Sequence, residues 1–183
     1  MTGGDNGKIN FYNSVSKEKV RKVDTGDIFL TALGKADQKD FIAAGNNNGG
    51  VFIVSKGSNN KSNVLGLSPH NKLVRELVFI EDDSKLLSAS DDGTIGMIDI
   101  SSEKVIQHFE GHKLAVSSVS PHQNDQRIFF SSSFDKTVKI WDLRTKACVG
   151  TGVTGSPLWD CRSIGKNLLV GGENGLLILY SVE

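Results

Sequence analysis

What this chain lacks narrows its class first. Cysteine is nearly absent: Cys148 and Cys161 are two thiols in 183 residues. That is too few for the disulfide framework of a small secreted fold, and no CxxC spacing suggests zinc. The expected setting is reducing, cytoplasmic and nuclear. An excess of either charge is also missing, because 21 Lys and Arg balance 21 Asp and Glu. No broad basic field would draw the chain to nucleic acid or to an acidic membrane surface. Long apolar runs are absent too, none approaching the roughly 18 residues of a membrane helix, and the opening MTGGDNGKIN lacks the basic start and apolar stretch of a signal peptide. The expectation is a soluble protein with no direct nucleic-acid partner and no membrane partner. Proline is scarce at three, against 20 glycines. Glycine supplies the positive-φ positions of tight turns, and no long segment keeps apolar residues at helical spacing. The chain therefore reads as all-β.

What is present is a repeat. One phrase recurs five times: TGGDNGKINFYN from Thr2, AGNNNGGVFIVS from Ala44, SASDDGTIGMID from Ser88, SSSFDKTVKIWD from Ser131 and VGGENGLLILYS from Val170. Each runs from small residues through an acidic or amide turn into a short apolar strand. The second turn residue serves as a mark, at Asn6, Asn48, Asp92, Asp135 and Asn174, with separations of 42, 44, 43 and 39 residues. Spacing in the low forties is the period of propeller blades. Asp, Asn and Gly at the turn suit a two-residue hairpin, whose residues take φ > 0, so each phrase predicts a β-hairpin.

The fourth repeat is the fullest. Gly111-His112 opens it and Trp141-Asp142 closes it, with 28 residues between the two pairs. Both dipeptides, a serine-rich strand and a turn Asp in place form the pattern of a WD-repeat blade, a four-stranded antiparallel unit. The third repeat keeps His70, Asp92 and Asp99 but has Ile98 at the tryptophan position, and the first, second and fifth have Tyr12, Val54 and Tyr180 there. The chain resembles the WD-repeat (WD40) family. In that family the loop His, a strand Ser, the turn Asp and the Trp form a buried hydrogen-bonded chain within the blade. The resemblance assigns those roles to His112, Ser131 or Ser133, Asp135 and Trp141, followed by Asp142, with His70 and Asp92 as the partial set of the third blade.

Residues 1–183 thus read as about four and a half blades of a WD40 β-propeller, expected to be the C-terminal part of a seven-bladed ring whose first blades are absent. The order of blades is similar to that of the WD-repeat subunits of the superkiller (Ski) complex. The similarity rests on Asp24-Thr25-Gly26, which replaces a Gly-His, on Val74-Arg75 and on Leu158-Trp159. The polar insertion from Ser55 to Asn63 departs from it and is expected in a loop. The resemblance implies a non-catalytic scaffold without a cofactor. Its implied partners are the tetratricopeptide and helicase subunits of a Ski-type complex that supports 3′-to-5′ mRNA decay by the exosome, and subunits of the Paf elongation complex. It also implies that partner peptides lie on the top face, where blade-opening residues and the residues before each turn mark converge. Those positions are Leu30, Arg75, Ser117 and Trp159, with Asn47, Asp91, Phe134 and Glu173.

Arg75, Phe134 and Trp159 lead that set, since arginine and aromatic residues are enriched among interface anchors. Each has a plainer reading: Arg75 paired with Glu76 or Asp91, and Trp159 packed in the core. A reader of modified histone or phosphorylated peptides is the alternative function, and it would need clustered cations on that face.

Catalytic readings find no motif. His70, His108, His112 and His122 read as turn or loop histidines, and no GxSxG accompanies them. Gly7-Lys8 and Gly165-Lys166 lack the rest of a phosphate loop, and Asp82-Asp83 and Asp91-Asp92 lack calcium-loop spacing. No metal site is expected. Asn60-Lys61-Ser62 matches a glycosylation acceptor but has no secretory route, and both cysteines read as inert core thiols.

Overall fold

The computed structural model describes residues 6–26, 29–56 and 62–181. Their strands form five antiparallel sheets, each built from strands consecutive in the chain. The first sheet pairs β1 (Lys8–Tyr12) with β2 (Lys19–Asp24). The second comprises β3 (Leu30–Lys35), β4 (Phe41–Asn46), β5 (Val51–Lys56) and β6 (Ser62–Leu67). The third comprises β7 (Val74–Ile80), β8 (Lys85–Ser90), β9 (Ile95–Asp99) and β10 (Lys104–Phe109). The fourth comprises β11 (Val116–Pro121), β12 (Ile128–Ser133), β13 (Thr137–Asp142) and β14 (Ala147–Val153). The fifth comprises β15 (Leu158–Ile164), β16 (Asn167–Gly172) and β17 (Leu177–Ser181), with a 3-10 turn at Glu173–Gly175. Strand β3 packs against β7, β7 against β11 and β11 against β15, so the sheets follow one another as blades around an arc.

The core lies between blades. Four apolar clusters fill the four junctions, one for each pair of consecutive sheets. Strands β8 and β12 are covered on both faces: from Leu86 to Ser90 and from Phe129 to Ser133 every residue is buried. Outer strands have one covered face, and β10 alternates exposed and shielded residues over Lys104–His108. Between the third and fourth blades Trp141 stacks on Phe129, ring centroids 6.0 Å apart, and meets Phe109 edge-on at 5.7 Å. Ile98 holds the same register position between the second and third blades, where it is fully buried with Leu86, Val51 and Ile53. At that junction a Cβ on Gly34 would stand 2.7 Å from the Leu77 carbonyl, so only glycine lets β3 approach β7 this closely.

Three local expectations need correction. Positive φ falls mainly on the residue after each mark, at Gly7 (66°), Gly49 (87°), Gly93 (85°) and Lys136 (69°), while the fifth turn has it at both Asn174 and Gly175. The marks Asp92 and Asp135 act through their carboxylates instead, accepting the N–H of Thr94 at 2.9 Å and of Thr137 at 3.0 Å. The Ser55–Asn63 insertion is not wholly a loop: Ser55 pairs with Asn63 and Lys56 with Ser62, which lengthens the β5–β6 hairpin. Residues 57–61, and with them most of the Asn60-Lys61-Ser62 sequon, lie outside the described residues. His108 belongs to β10 rather than to a loop.

Candidate protein-interaction site

The fourth blade is held by a chain of hydrogen bonds. The Trp141 indole Nε1–H donates to Ser131 Oγ at 2.8 Å, Ser131 Oγ lies 2.8 Å from His112 Nε2, and His112 Nδ1 lies 2.9 Å from Asp135 Oδ2. Ionised Asp135 can only accept, so the neutral imidazole carries its proton on Nδ1 and its Nε2 accepts the Ser131 hydroxyl, which itself accepts from the indole. Every member is satisfied with His112 neutral. Burial pushes the His112 pKa below its usual value and outweighs the opposite pull of Asp135. Burial would raise the Asp135 carboxyl, but hydrogen bonds from Thr137, Lys113 and His112 bring it down to about 2.

Of the two candidate serines, Ser131 is the link. Ser133 Oγ instead donates to the Ala115 carbonyl at 2.8 Å and accepts the Asp135 N–H at 3.0 Å. Asp142 stands apart from the chain at the far end of β13, where it binds the Arg144 N–H at 2.8 Å and the Arg144 guanidinium. In the third blade His70 bridges Asp92 at 3.0 Å and Ser88 Oγ at 2.8 Å, and the chain ends there because Ile98 has no donor.

These networks fix the turns that face the rim of the arc. Each complete inner strand carries a β-bulge, between Leu30 and Ala32, Val74 and Glu76, Val116 and Ser118, and Leu158 and Asp160. Bulges re-aim one side chain out of the regular alternation. The re-aimed residues are Thr31, Arg75, Ser117 and Trp159. The residue before each mark then donates its N–H to a carbonyl two residues ahead of the bulge: Asn47 to Phe29, Asp91 to Leu73, Phe134 to Ala115 and Glu173 to Pro157. One construction, repeated four times, brings the two sets of positions to the same rim.

Three of the expected opening positions are bulge residues, but Leu30 is not. It is 8% exposed and packs between the first two blades, as Val74, Val116 and Leu158 pack in theirs. The equivalent rim residue is Thr31, one position later. Asn47 and Glu173 are exposed at their own turns. Arg75, Asp91, Phe134 and Trp159 come together. Arg75 grips Asp91 through Nε and, at 3.0 Å, through Nη2. Its guanidinium carbon sits 4.9 Å from the centroid of the Phe134 ring. Trp159 meets the same ring edge-on at 4.8 Å. Trp159 is 52% exposed, so it is not a core residue.

Sequence reasoning missed Phe29, which is 53% exposed and, with Leu73, Arg75, Ser117, Phe134 and Trp159, walls a cavity of about 360 Å³. The signal available was its offset, two residues before the bulge, where Leu73, Ala115 and Pro157 also stand. Ser117 Oγ is 2.9 Å from Ser132 Oγ, which gives this wall a polar patch.

The WD40 family, described as WD domain, G-beta repeat, matches residues 61–99 and 103–142. These segments run from β6 through β9 and from β10 through β13, so each supplies the outer strand of one sheet and three strands of the next. The fold is that of WD40 β-propeller blades. A chain in a crystal structure of a mitotic checkpoint complex shares the fold, with a TM-score of 0.87 over 98% of this chain and 56% of that one at 19% identity. Among curated proteins, a Drosophila persimilis WD repeat-containing protein 55 homolog is 31% identical over 64% of this chain and 23% of its own length. Human protein NEDD1 is 26% identical over 100% of this chain and 28% of its own. The Schizosaccharomyces pombe Set1 complex component swd2 is 33% identical over 44% of this chain and 23% of its own. This chain therefore spans about a quarter of the length of these relatives.

The cysteines differ from expectation and from each other. Cys161 is buried between the fourth and fifth blades, and burial pushes its thiol up to about 12. Cys148 is exposed on β14 rather than in the core.

Proposed function

We propose that this chain is a non-catalytic scaffold that holds an extended segment of a partner protein across the rim formed by Phe29, Arg75, Phe134 and Trp159. One observation carries the reading: two half-exposed aromatic rings flank a cavity whose single arginine is already engaged. Exposed aromatics gathered at one mouth are an interaction feature rather than a stability feature. Asp91 neutralises Arg75, and Phe134 covers one face of its guanidinium, which disfavours a phosphorylated residue and favours an apolar anchor with neutral backbone around it. A guanidinium has five N–H donors and Asp91 takes two, so donors remain for a partner's backbone carbonyl.

The finer assignment is a Ski-type subunit, working in the cytoplasm and nucleus with tetratricopeptide and helicase partners and with Paf subunits as a second set. Its support is the sequence resemblance at Asp24-Thr25-Gly26, Val74-Arg75 and Leu158-Trp159. Affinity purification from cell extract tests both levels. The expected result is a tetratricopeptide protein and a helicase with the unaltered chain, and neither with Arg75→Glu/Trp159→Ala at equal abundance. Unchanged co-purification by the double variant would overturn the site, and partners of another kind lost from that variant would overturn only the Ski-type assignment.

A further inference from the structure

Directly inside the rim runs a second polar layer, built from the residues that follow the bulges of β7, β11 and β15. Arg162, three positions after Trp159 on β15, reaches past the fourth blade to the third, where its Nη2 donates to Glu76 Oε1 at 2.6 Å. Its Nη1 donates to Ser118 Oγ on the intervening β11 at 3.2 Å. The other Glu76 oxygen, Oε2, accepts the β11 backbone N–H of Val119 at 2.8 Å. Ser118 Oγ in turn donates to Asp160 Oδ1 at 2.7 Å. Three inner strands from three consecutive blades are therefore tied by one guanidinium and one carboxylate, above the apolar contacts that join only neighbours. The tie is specific to these blades, since Val78 and Ser120 hold the position of Arg162 on β7 and β11.

The geometry points to Arg162 and Glu76 as the positioning pair of the rim. Arg75 and Glu76 are consecutive on β7, while Trp159 and Arg162 share β15, so the span between Arg162 and Glu76 sets the span between Trp159 and Arg75. Phe134 fills that span, touching both. Releasing the pair leaves blade-to-blade packing in place and loses the fixed distance between the two side chains that flank Phe134. The inference concerns the arrangement of the empty rim and stands whether or not the proposed partner is right.

Fluorine NMR of the full chain carrying 5-fluorotryptophan tests it without any partner, because the chain has 2 tryptophans. Trp141, buried between the third and fourth blades, reports the fold, and Trp159 reports the rim. With Arg162→Gln the Trp159 resonance is expected to move or broaden while that of Trp141 stays in place. Glu76→Gln should give the same Trp159 change, and the double variant no more than either single one. Arg162→Lys, which keeps the charge but not the fork, should give a smaller shift of Trp159 and preserves the test if the Gln variant unfolds. A Trp159 resonance unmoved in the folded Arg162 variants, or additive shifts in the double variant, would overturn the inference.

Discussion

Trp141 and Ile98 stand at equivalent register positions in consecutive blades, opposite Phe129 and Leu86, yet only Trp141 donates to its blade's serine, at 2.8 Å from Ser131 Oγ. The two blades solve the same problem differently. The fourth ties its loop, strand and turn through a complete polar chain, and the third ends that chain at Ser88 and fills the place with buried hydrocarbon. A polar chain of this kind holds only when every member is paired.

The chain in the fourth blade should therefore respond as a unit. His112→Ala leaves Asp135 and Ser131 without their buried partner and is expected to cost about 3 kcal/mol. Trp141→Phe removes one donor and some ring volume, for about 2 kcal/mol. Because both act on Ser131, the double variant should cost less than the sum by about 1 kcal/mol in urea unfolding. Additive losses would show that the residues are not linked.

Stability should fall in two steps on the acid side. His70 and His112 have folded-state pKa values lowered by burial, so the unfolded chain takes up protons first as pH drops through 6.5, and the stability held by the neutral imidazoles is complete above that value and declines below it. For Asp92 and Asp135 burial acts upward, but the hydrogen bonds they accept win and lower both carboxyls. Their contribution is complete above 3.8 and is lost as pH falls, towards about 2 for Asp135. Denaturant unfolding between pH 7.5 and 3 checks this, and equal stability at pH 7.5 and pH 5 would contradict the histidine step.

Asp83 ties the second and third blades on the opposite side. It ends a run of three left-handed residues, Glu81, Asp82 and Asp83, and its buried carboxylate accepts the N–H groups of Asp37 at 3.1 Å, Gln38 at 2.6 Å and Lys39 at 2.8 Å. Such a run is sterically costly for L-residues, and those three bonds compensate it. Although burial acts upward, the donors lower the carboxyl's pKa. Asp83→Ala is expected to lose about 2 kcal/mol and to raise amide exchange at 37–39. Unaltered exchange there would show that the tie is not formed in solution.

The blade count and the polar chain were legible because both depend on short-range chemistry repeated in register: small residues, an Asp or Asn, a strand, and a His about 20 residues upstream. The rim was legible only to within a residue. Leu30 and Thr31 are both plausible at an inner-strand opening, and the bulge that buries one and presents the other leaves no mark in the sequence. Trp159 could not be separated from core for the same reason, since the bulge at Leu158 and Asp160 decides its direction. The pairing of Arg162 with Glu76 spans 86 residues and skips a blade, beyond the reach of any local pattern.

The thiols offer a simple check of which strand faces outward. Native protein should expose one reactive thiol, Cys148, and denaturant should release a second, Cys161. Burial keeps Cys161 protonated as well as covered. Two fast thiols in the native state would mean that the fourth and fifth blades do not pack as described.

The central claim is that a partner touches the aromatic rim, and site-specific photocrosslinking tests it most directly. A photoreactive phenylalanine analogue placed at Phe29 or at Trp159 should capture the same protein partner in cell extract, while the analogue at Val149, equally exposed on the outer strand β14, should capture none of it. Adducts formed equally from Val149, or no adduct from either rim position in extract where the unaltered chain has its partners, would contradict the account.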